Sequence, residues 1–283
     1  MPDTPPAPDR SRLAIHTMTH KPWSLRDCCE QFEQAGVPGV SVWRNVIDPA
    51  EGGCGLEEAV RLVKAHGLTV PALVRGGFFV SADPRKRDEA LDVNRQCIDE
   101  AQALGAAMVV LVVGAEPGVP LDAARQQVAD GIGQLLDHAR QADVVLAIEP
   151  LHPMYAGDKS CINRMAEARQ VCEQLGHDPH VGIAVDVYHV WWDPDLPREI
   201  QLAGQQGNLT AFHVCDWRLP TRDLLTDRAL MGDGCIDIPG IRAMVESAGF
   251  DGPIEVEIFS EQHWTEDQAD YLRRIIERYD TAV

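Results

Sequence analysis

Four apolar stretches in the second half of this 283-residue chain each reach a residue able to hold a divalent cation. "VVLAIEP" reaches Glu149, "VGIAVDVYH" reaches Asp186 and then His189, "LTAFHVCDW" carries His213, and "IEVEIFS" carries Glu257. Three carboxylates drawn together in a protein mouth repel one another, and without a counter-charge at least one takes up a proton. A divalent cation removes that conflict. Oxygen donors with one imidazole suit Mn2+, Mg2+ or Co2+ better than a thiolate-seeking metal, and Zn2+ stays open. One such ion, Mn2+ first, is the expected cofactor. It would act as a Lewis acid on a bound oxygen, while flanking carboxylates could remove and return a proton.

The elements that must position these residues alternate along the chain. Strand-like runs begin with "LAIHTM" (13–18), "GVSVWR" (39–44), "LTVPALVRGG" (68–77) and "AAMVVLVVG", before the four already named. Helix-like runs separate them. Ser24 is a plausible N-cap before 25–35 and Gly36 a stop; further helices are expected over about 56–66, 85–103, 121–142, 163–175, 196–203 and from Ile238, and a last one has Thr265 and Gln268 as a possible capping box. Eight strand–helix pairs with Val/Ile-rich strands predict an α/β fold, a single (β/α)8 TIM barrel over residues 13–283. The doubly wound alternative usually shows a Gly-rich turn after its first strand, and "HTMTHKPW" has none. The first twelve residues, rich in proline and charge, read as a loose tail.

Active sites of such barrels sit at the C-terminal strand ends, and period-two alternation selects the inward residues. Val145, Ala147 and Glu149 share a face, as do Gly182, Ala184 and Asp186, then Ala211, His213 and Cys215, then Glu255 and Glu257. Glu255, one layer deeper, is expected to partner an internal base, and Cys215 to fill the core. His16 and Arg75 end strands one and three and are expected to face the pocket. Trp43, Phe78, Phe79, Tyr188, Trp191, Trp192 and Trp217 crowd the predicted mouth, where indole faces can stack on sugars or pack a lid or a subunit interface.

"AIEP", "DVYH", "FHVCDW" and "EVEIF" resemble the signatures of the sugar isomerase/epimerase superfamily with the xylose isomerase-like barrel. That superfamily includes ketose 3-epimerases, hydroxypyruvate isomerase, inosose dehydratases and isomerases, and endonuclease IV-type DNA repair enzymes. The resemblance implies one divalent metal on Glu149, Asp186, His213 and Glu257, with Glu149 and Glu257 doubling as the acid/base pair. It implies a substrate-binding role for His189, in a D-x-x-H pattern, and for Arg228, four residues ahead of Gly232. It also implies a homo-oligomer, dimer or tetramer.

The pattern departs in one place. Ketose 3-epimerases usually carry a second glutamate six residues beyond the first ligand, where this chain has Tyr155. His152, three residues past Glu149, lies in the right loop to reach substrate as a general acid or hydroxyl ligand, or simply to shape the loop. The expected function is a metal-dependent isomerase or epimerase of a small keto-sugar or keto-cyclitol, acting through a metal-bound enediolate. The alternative is a lyase or dehydratase in which the same enolate expels a β-substituent with help from His152 or His189. The Gly232–Asp233–Gly234 segment is read as a turn, because Asp233 would repel a phosphate.

Composition narrows the partners. With 25 Lys and Arg against 44 Asp and Glu, the formal charge is −19. Such a body is repelled by phosphate backbones and anionic membranes, so a small-molecule substrate is expected, with neither nucleic acid nor membrane as partner. The eight cysteines form no C-x-x-C pair and are expected as reduced thiols. No signal-peptide-like or membrane-spanning run is evident, and a cytoplasmic location is expected.

Overall fold

Each barrel strand is short and buried, and each is followed by an amphipathic helix that covers it. The computed structural model describes residues 7–283. Its strands are β1 (Leu13–His16), β2 (Gly39–Trp43), β3 (Ala72–Gly77), β4 (Met108–Val112), β5 (Val145–Ile148), β6 (Val181–Asp186), β7 (Leu209–Val214) and β8 (Ile254–Val256). All neighbours run parallel, and the sheet closes by pairing β1 with β8. The main helices are α1 (Leu25–Ala35), α2 (Leu56–Ala65), α3 (Pro84–Leu104), α4 (Leu121–Ala142), α5 (Met165–Gln174), α6 (Leu196–Gln205), α7 (Ile238–Ser247) and α8 (Gln268–Ala282). The (β/α)8 barrel expected from the alternation is therefore the fold.

Local signals set several boundaries. Ser24 and Asp27 form a reciprocal capping box on α1, and Gly36 ends that helix at φ 73°. At the last helix the expected Thr265–Gln268 box does not form. The Asp267 carboxylate caps α8 at the Asp270 amide, while Thr265 donates its hydroxyl to the Gln262 carbonyl. Strand three starts later than expected, at Ala72, and β1 stops at His16, where a 3-10 turn (Thr17–His20) takes over. The proline-rich tail falls partly on residues 1–6, which lie outside the described residues. From Asp9 the chain is tied to the barrel: Arg12 pairs with Glu246 at 2.6 Å, and Tyr279 donates to the Asp9 carbonyl.

Two apolar regions hold the barrel together. The larger lies between strands and helices. The smaller fills the barrel bore with Ala72, Val74, Met108, Val110, Ala147, Ala184 and Ala211. Alanines directly beneath Glu149, Asp186 and His213 leave room for polar groups to converge above them. All eight cysteines are unpaired thiols. Among the described residues no helix is long and apolar enough to cross a membrane.

Candidate active site

The strand register brings the four expected ligands to one height. Asp186 stands opposite His213 in the β6–β7 ladder. Glu149 and Glu257 each extend their ladder one step past the strand, their amides donating to the Leu111 and Val214 carbonyls. One donor atom from each of Glu149, Asp186, His213 and Glu257 lies within 4.8 Å of the other three, and all four residues are buried. Donors roughly 2.0–2.6 Å from a shared ion stand at most roughly 4–5 Å apart, so the group fits a divalent cation with little adjustment. His213 presents Nδ1 to this group, 3.1 Å from Glu149 Oε1, and Nε2 to Glu255, at 3.8 Å. A carboxylate behind the second ring nitrogen is the usual arrangement of a ligating histidine.

Beneath the ligands lies a polar layer. Glu255 on β8 is next to His213 on β7 and Ala14 on β1, while His16 is next to Ser41 on β2. Glu255 accepts the Ser41 hydroxyl and approaches His16 Nε2 at 3.3 Å; His16 Nδ1 lies 3.0 Å from Glu257 Oε1. Glu255 thus partners two imidazoles, in line with the expectation of an internal base. His16 was expected to face substrate. It is instead fully enclosed between Glu255 and Glu257, because closing β1 against β8 turns its ring into the bore. Burial opposes its charge, yet Glu257 and Glu255 hold its pKa above the ordinary imidazole value.

Arg228 enters the same site from the loop after β7. A two-residue antiparallel pair, Asp216–Trp217 with Arg228–Ala229, folds this loop back on itself. The Asp216 carboxylate accepts from the Gly232, Gly234 and Ile236 amides, so the glycine segment is a turn and its amides are occupied. The Arg228 guanidinium sits between the Tyr188 and Phe259 rings and donates to Asp186 Oδ2 at 3.0 Å and to Glu257 Oε2 at 2.9 Å. Four buried glutamates and aspartates face Arg228, His16 and His213; with His16 charged and His213 neutral, as a ligating ring must be, two negative charges would remain for a divalent ion to cancel.

These charges set the protonation states. Burial disfavours a charged His213, but Glu255, Glu149 and Glu257 outweigh it and push the ring up to about 10. Burial pushes Asp186 up to about 7 despite Arg228. Burial would also raise Glu257, yet His16 and Arg228 hold it well below the ordinary value. His189 is driven far below 6.5 by burial and by Arg228, whose Nη2 lies 3.2 Å from its Nε2, while its Nδ1 accepts the His152 amide. It is a neutral ring.

A cavity of about 380 Å³, within the size range of small-ligand sites, opens over the group. Of the four candidate ligands only Glu149 and Glu257 line it; Asp186 and His213 lie below. Tyr155, His189 and Arg228, expected to meet substrate, also form its walls, with Trp43, Phe78, Phe259 and Leu225. His152, Trp191 and Trp217 are not among the wall residues. They turn into an aromatic stack behind the wall: Trp217 lies on Tyr188 at 4.7 Å and contacts His152 and Trp191 at 5.1 and 5.7 Å. Packing Trp217 on Tyr188, with His152 and Trp191 against Trp217, hides more apolar surface than pointing the three rings into a polar mouth. Tyr155 and Tyr188 both donate to the Leu224 carbonyl, at 2.7 and 3.0 Å, and so pin the long loop over the cavity. Lys159 and Phe259 also reach the walls. Phe259, two residues past Glu257, was accessible to period-two reasoning; Lys159, in an irregular loop, carried no such signal.

The xylose isomerase-like TIM barrel model of protein families matches residues 29–275. The chain belongs to that family. Among curated members, L-ribulose-5-phosphate 3-epimerase UlaE of Salmonella paratyphi C is 27% identical over 215 residues, covering 72% of this chain and 71% of UlaE. Among solved structures, protein SMc04130 of Sinorhizobium meliloti 1021 is 44% identical, with a TM-score of 0.92 over 97% of this chain and 99% of that one. The IOLI protein, solved with a bound zinc atom, superposes with a TM-score of 0.82 over 94% of this chain and 96% of its own; at 18% identity it is similar in fold.

Proposed function

We propose that the protein is a divalent-metal-dependent isomerase or epimerase of a small keto-sugar or keto-cyclitol, with Glu149 and Glu257 as its two proton-transfer groups. One observation carries this reading: of four clustered candidate ligand residues, the two that border the cavity are both glutamates, at the ends of β5 and β8, three strands apart around the barrel. A bound divalent ion, Mn2+ by preference for three carboxylates and one imidazole, would supply Lewis-acid stabilisation of a developing oxyanion. The chain's own residues do the rest. His16 and Arg228 keep Glu257 ionised and able to accept a proton from the carbon next to a carbonyl. Glu149, beside His213 on the other face, returns a proton to that carbon or to its neighbour. Arg228 and His189 border the same space and can hold substrate hydroxyl and carbonyl oxygens. Trp43, Phe259 and Leu225 exclude water from the intermediate.

The kinship with a ribulose-phosphate epimerase supports the same class of chemistry. The lyase alternative needs a general acid for a leaving group. Burial pushes the Tyr155 hydroxyl up to about 12 and its proton is given to Leu224; His189 is neutral; His152 lies outside the cavity wall. The site therefore favours proton return to carbon over expulsion of a substituent. The test is an NMR screen of the Mn2+-loaded protein with ketoses, inososes and 3-keto-glycosides in D2O. Deuterium entering next to the carbonyl without loss of substrate mass is expected, whereas a conjugated enone product would replace this reading with the lyase.

A further inference from the structure

The end of β3 is built against its own conformational preferences. Four non-glycine residues have positive φ among the described residues: Arg75 (94°), Phe78 (57°), Asp143 and His177. Asp143 is the left-handed C-cap of α4, and His177 lies in the turn after α5, both ordinary helix stops. Arg75 and Phe78 stop no helix. Arg75 is the residue passed over in a register irregularity between Val74 and Gly76, where β3 bulges against β4, and Phe78 follows the strand's last residue. Bulges beside active sites re-aim side chains, and strained backbone persists only where its surroundings over-determine it. Here the surroundings do. Buried Asn94 clamps both the amide and the carbonyl of Gly77 at 2.7 Å, and the Phe78 amide donates to Val112 at 2.7 Å. Gly77 has no substitute, since a Cβ would meet the Val112 carbonyl oxygen at 2.0 Å.

The bulge delivers both strained side chains to the wall of the catalytic cavity. The Arg75 guanidinium is only loosely held there: Glu51, half-exposed, is 3.3 Å away at its nearest. Lys159 lies on the same wall, its ammonium over the Tyr155 ring at 4.8 Å and next to the exposed Asp158. These two cations sit at the rim formed by β3 and the loop after β5, separate from Arg228, which is committed to Asp186 and Glu257. Two cations paired only with exposed carboxylates at one cavity wall, in a chain of charge −19, point to an anionic ligand.

We propose that Arg75, seconded by Lys159, binds an anionic substituent, carboxylate or phosphate, at the end of the ketose remote from the reacting carbons. This rests on the keto-sugar reading given above. The glycine turn after β7 cannot serve a phosphate, because Asp216 already occupies its amides. Arg75 offers a planar fork suited to either anion.

A matched set of probes tests it: D-fructose, D-fructuronate and D-fructose 6-phosphate differ only at the terminal carbon. Calorimetric Kd values are measured on the Mn2+-loaded wild type, Arg75→Gln and Arg75→Lys, with deuterium exchange in D2O run in parallel. One anionic ketose is expected to bind about 10- to 100-fold more tightly than fructose. Arg75→Gln should abolish that advantage, and Arg75→Lys should keep part of it. A preference for fructuronate assigns a carboxylate, and one for the phosphate ester assigns a phosphate. Equal affinities, no binding of either anion, or an advantage that survives Arg75→Gln overturns the proposal. Binding that depends on Arg75 but shows no exchange with any ketose overturns the enolate reading and leaves the anion site standing.

Discussion

Replacing Glu255 by Gln separates two effects that act on the metal in opposite directions. Glu255 stands behind His213, 3.8 Å from Nε2, and loss of a carboxylate from that position typically weakens metal binding by about 10- to 100-fold. The same carboxylate is the strongest of the charges that push His213 up to about 10. A ring with that pKa is only roughly 0.1% unprotonated at pH 7, so proton competition costs roughly a thousandfold in apparent affinity there, and roughly thirtyfold at pH 8.5. Removing Glu255 relieves the competition. Competition titrations of Mn2+ against a fluorescent chelator from pH 7.0 to 8.5 should therefore show wild-type affinity climbing steeply with pH. The variant should climb less steeply, so that its deficit is largest at pH 8.5 and shrinks or reverses at pH 7.0. Calorimetry in buffers of different ionisation enthalpy should find at least about one proton released per ion by wild type at pH 7.5, and fewer by Glu255→Gln. Parallel affinity profiles with equal proton release would refute the assignment of Glu255 as the group that orients and charges His213.

Other changes probe the surrounding residues. Asp186 has its carboxyl raised to about 7, so its contribution to stability is complete below the ordinary carboxyl pKa and is lost as pH rises through about 7. Metal-free Asp186→Asn should then melt above metal-free wild type at pH 8, with the gap narrowing at pH 5; the opposite order would contradict the burial argument. Arg228→Met leaves Asp186 and Glu257 without their cation, which should cost about 3–5 kcal/mol in the metal-free protein and be largely restored by Mn2+ in thermal denaturation. Tyr155→Phe removes one of two anchors on Leu224, and KM should rise several-fold, about 1 kcal/mol, with kcat nearly unchanged. A hundredfold fall in kcat would instead make Tyr155 a proton donor and revive the lyase.

The convergence of the four candidate ligands was readable from the chain because period two and strand ends are local properties. Ala147, Ala184 and Ala211 sit in the bore below Glu149, Asp186 and His213, where alternation puts them. What depends on closure was not readable. His16 ends its strand like any pocket residue, and only the pairing of β1 with β8 places it between Glu255 and Glu257. Arg228 was assigned by family likeness to substrate, but its insertion between two carboxylates follows from a two-residue antiparallel pair across a long loop. The aromatics were recognised as a group, yet the choice between cavity and stack is made by Tyr188, which offers Trp217 a parallel face. The bulge that aims Arg75 has no signature beyond two glycines, since strain arises from contacts with Asn94 and β4.

The central claim is that two glutamates transfer protons on opposite sides of one carbon. The direct test is position-resolved deuterium exchange by the Mn2+-loaded single variants Glu149→Gln and Glu257→Gln, started separately from each of two epimeric ketoses that the wild type interconverts. Each variant is predicted to lose epimerisation while still exchanging the proton of one epimer only, a different epimer for each variant. Full interconversion by either variant, or loss of exchange from the same epimer in both, would contradict the account.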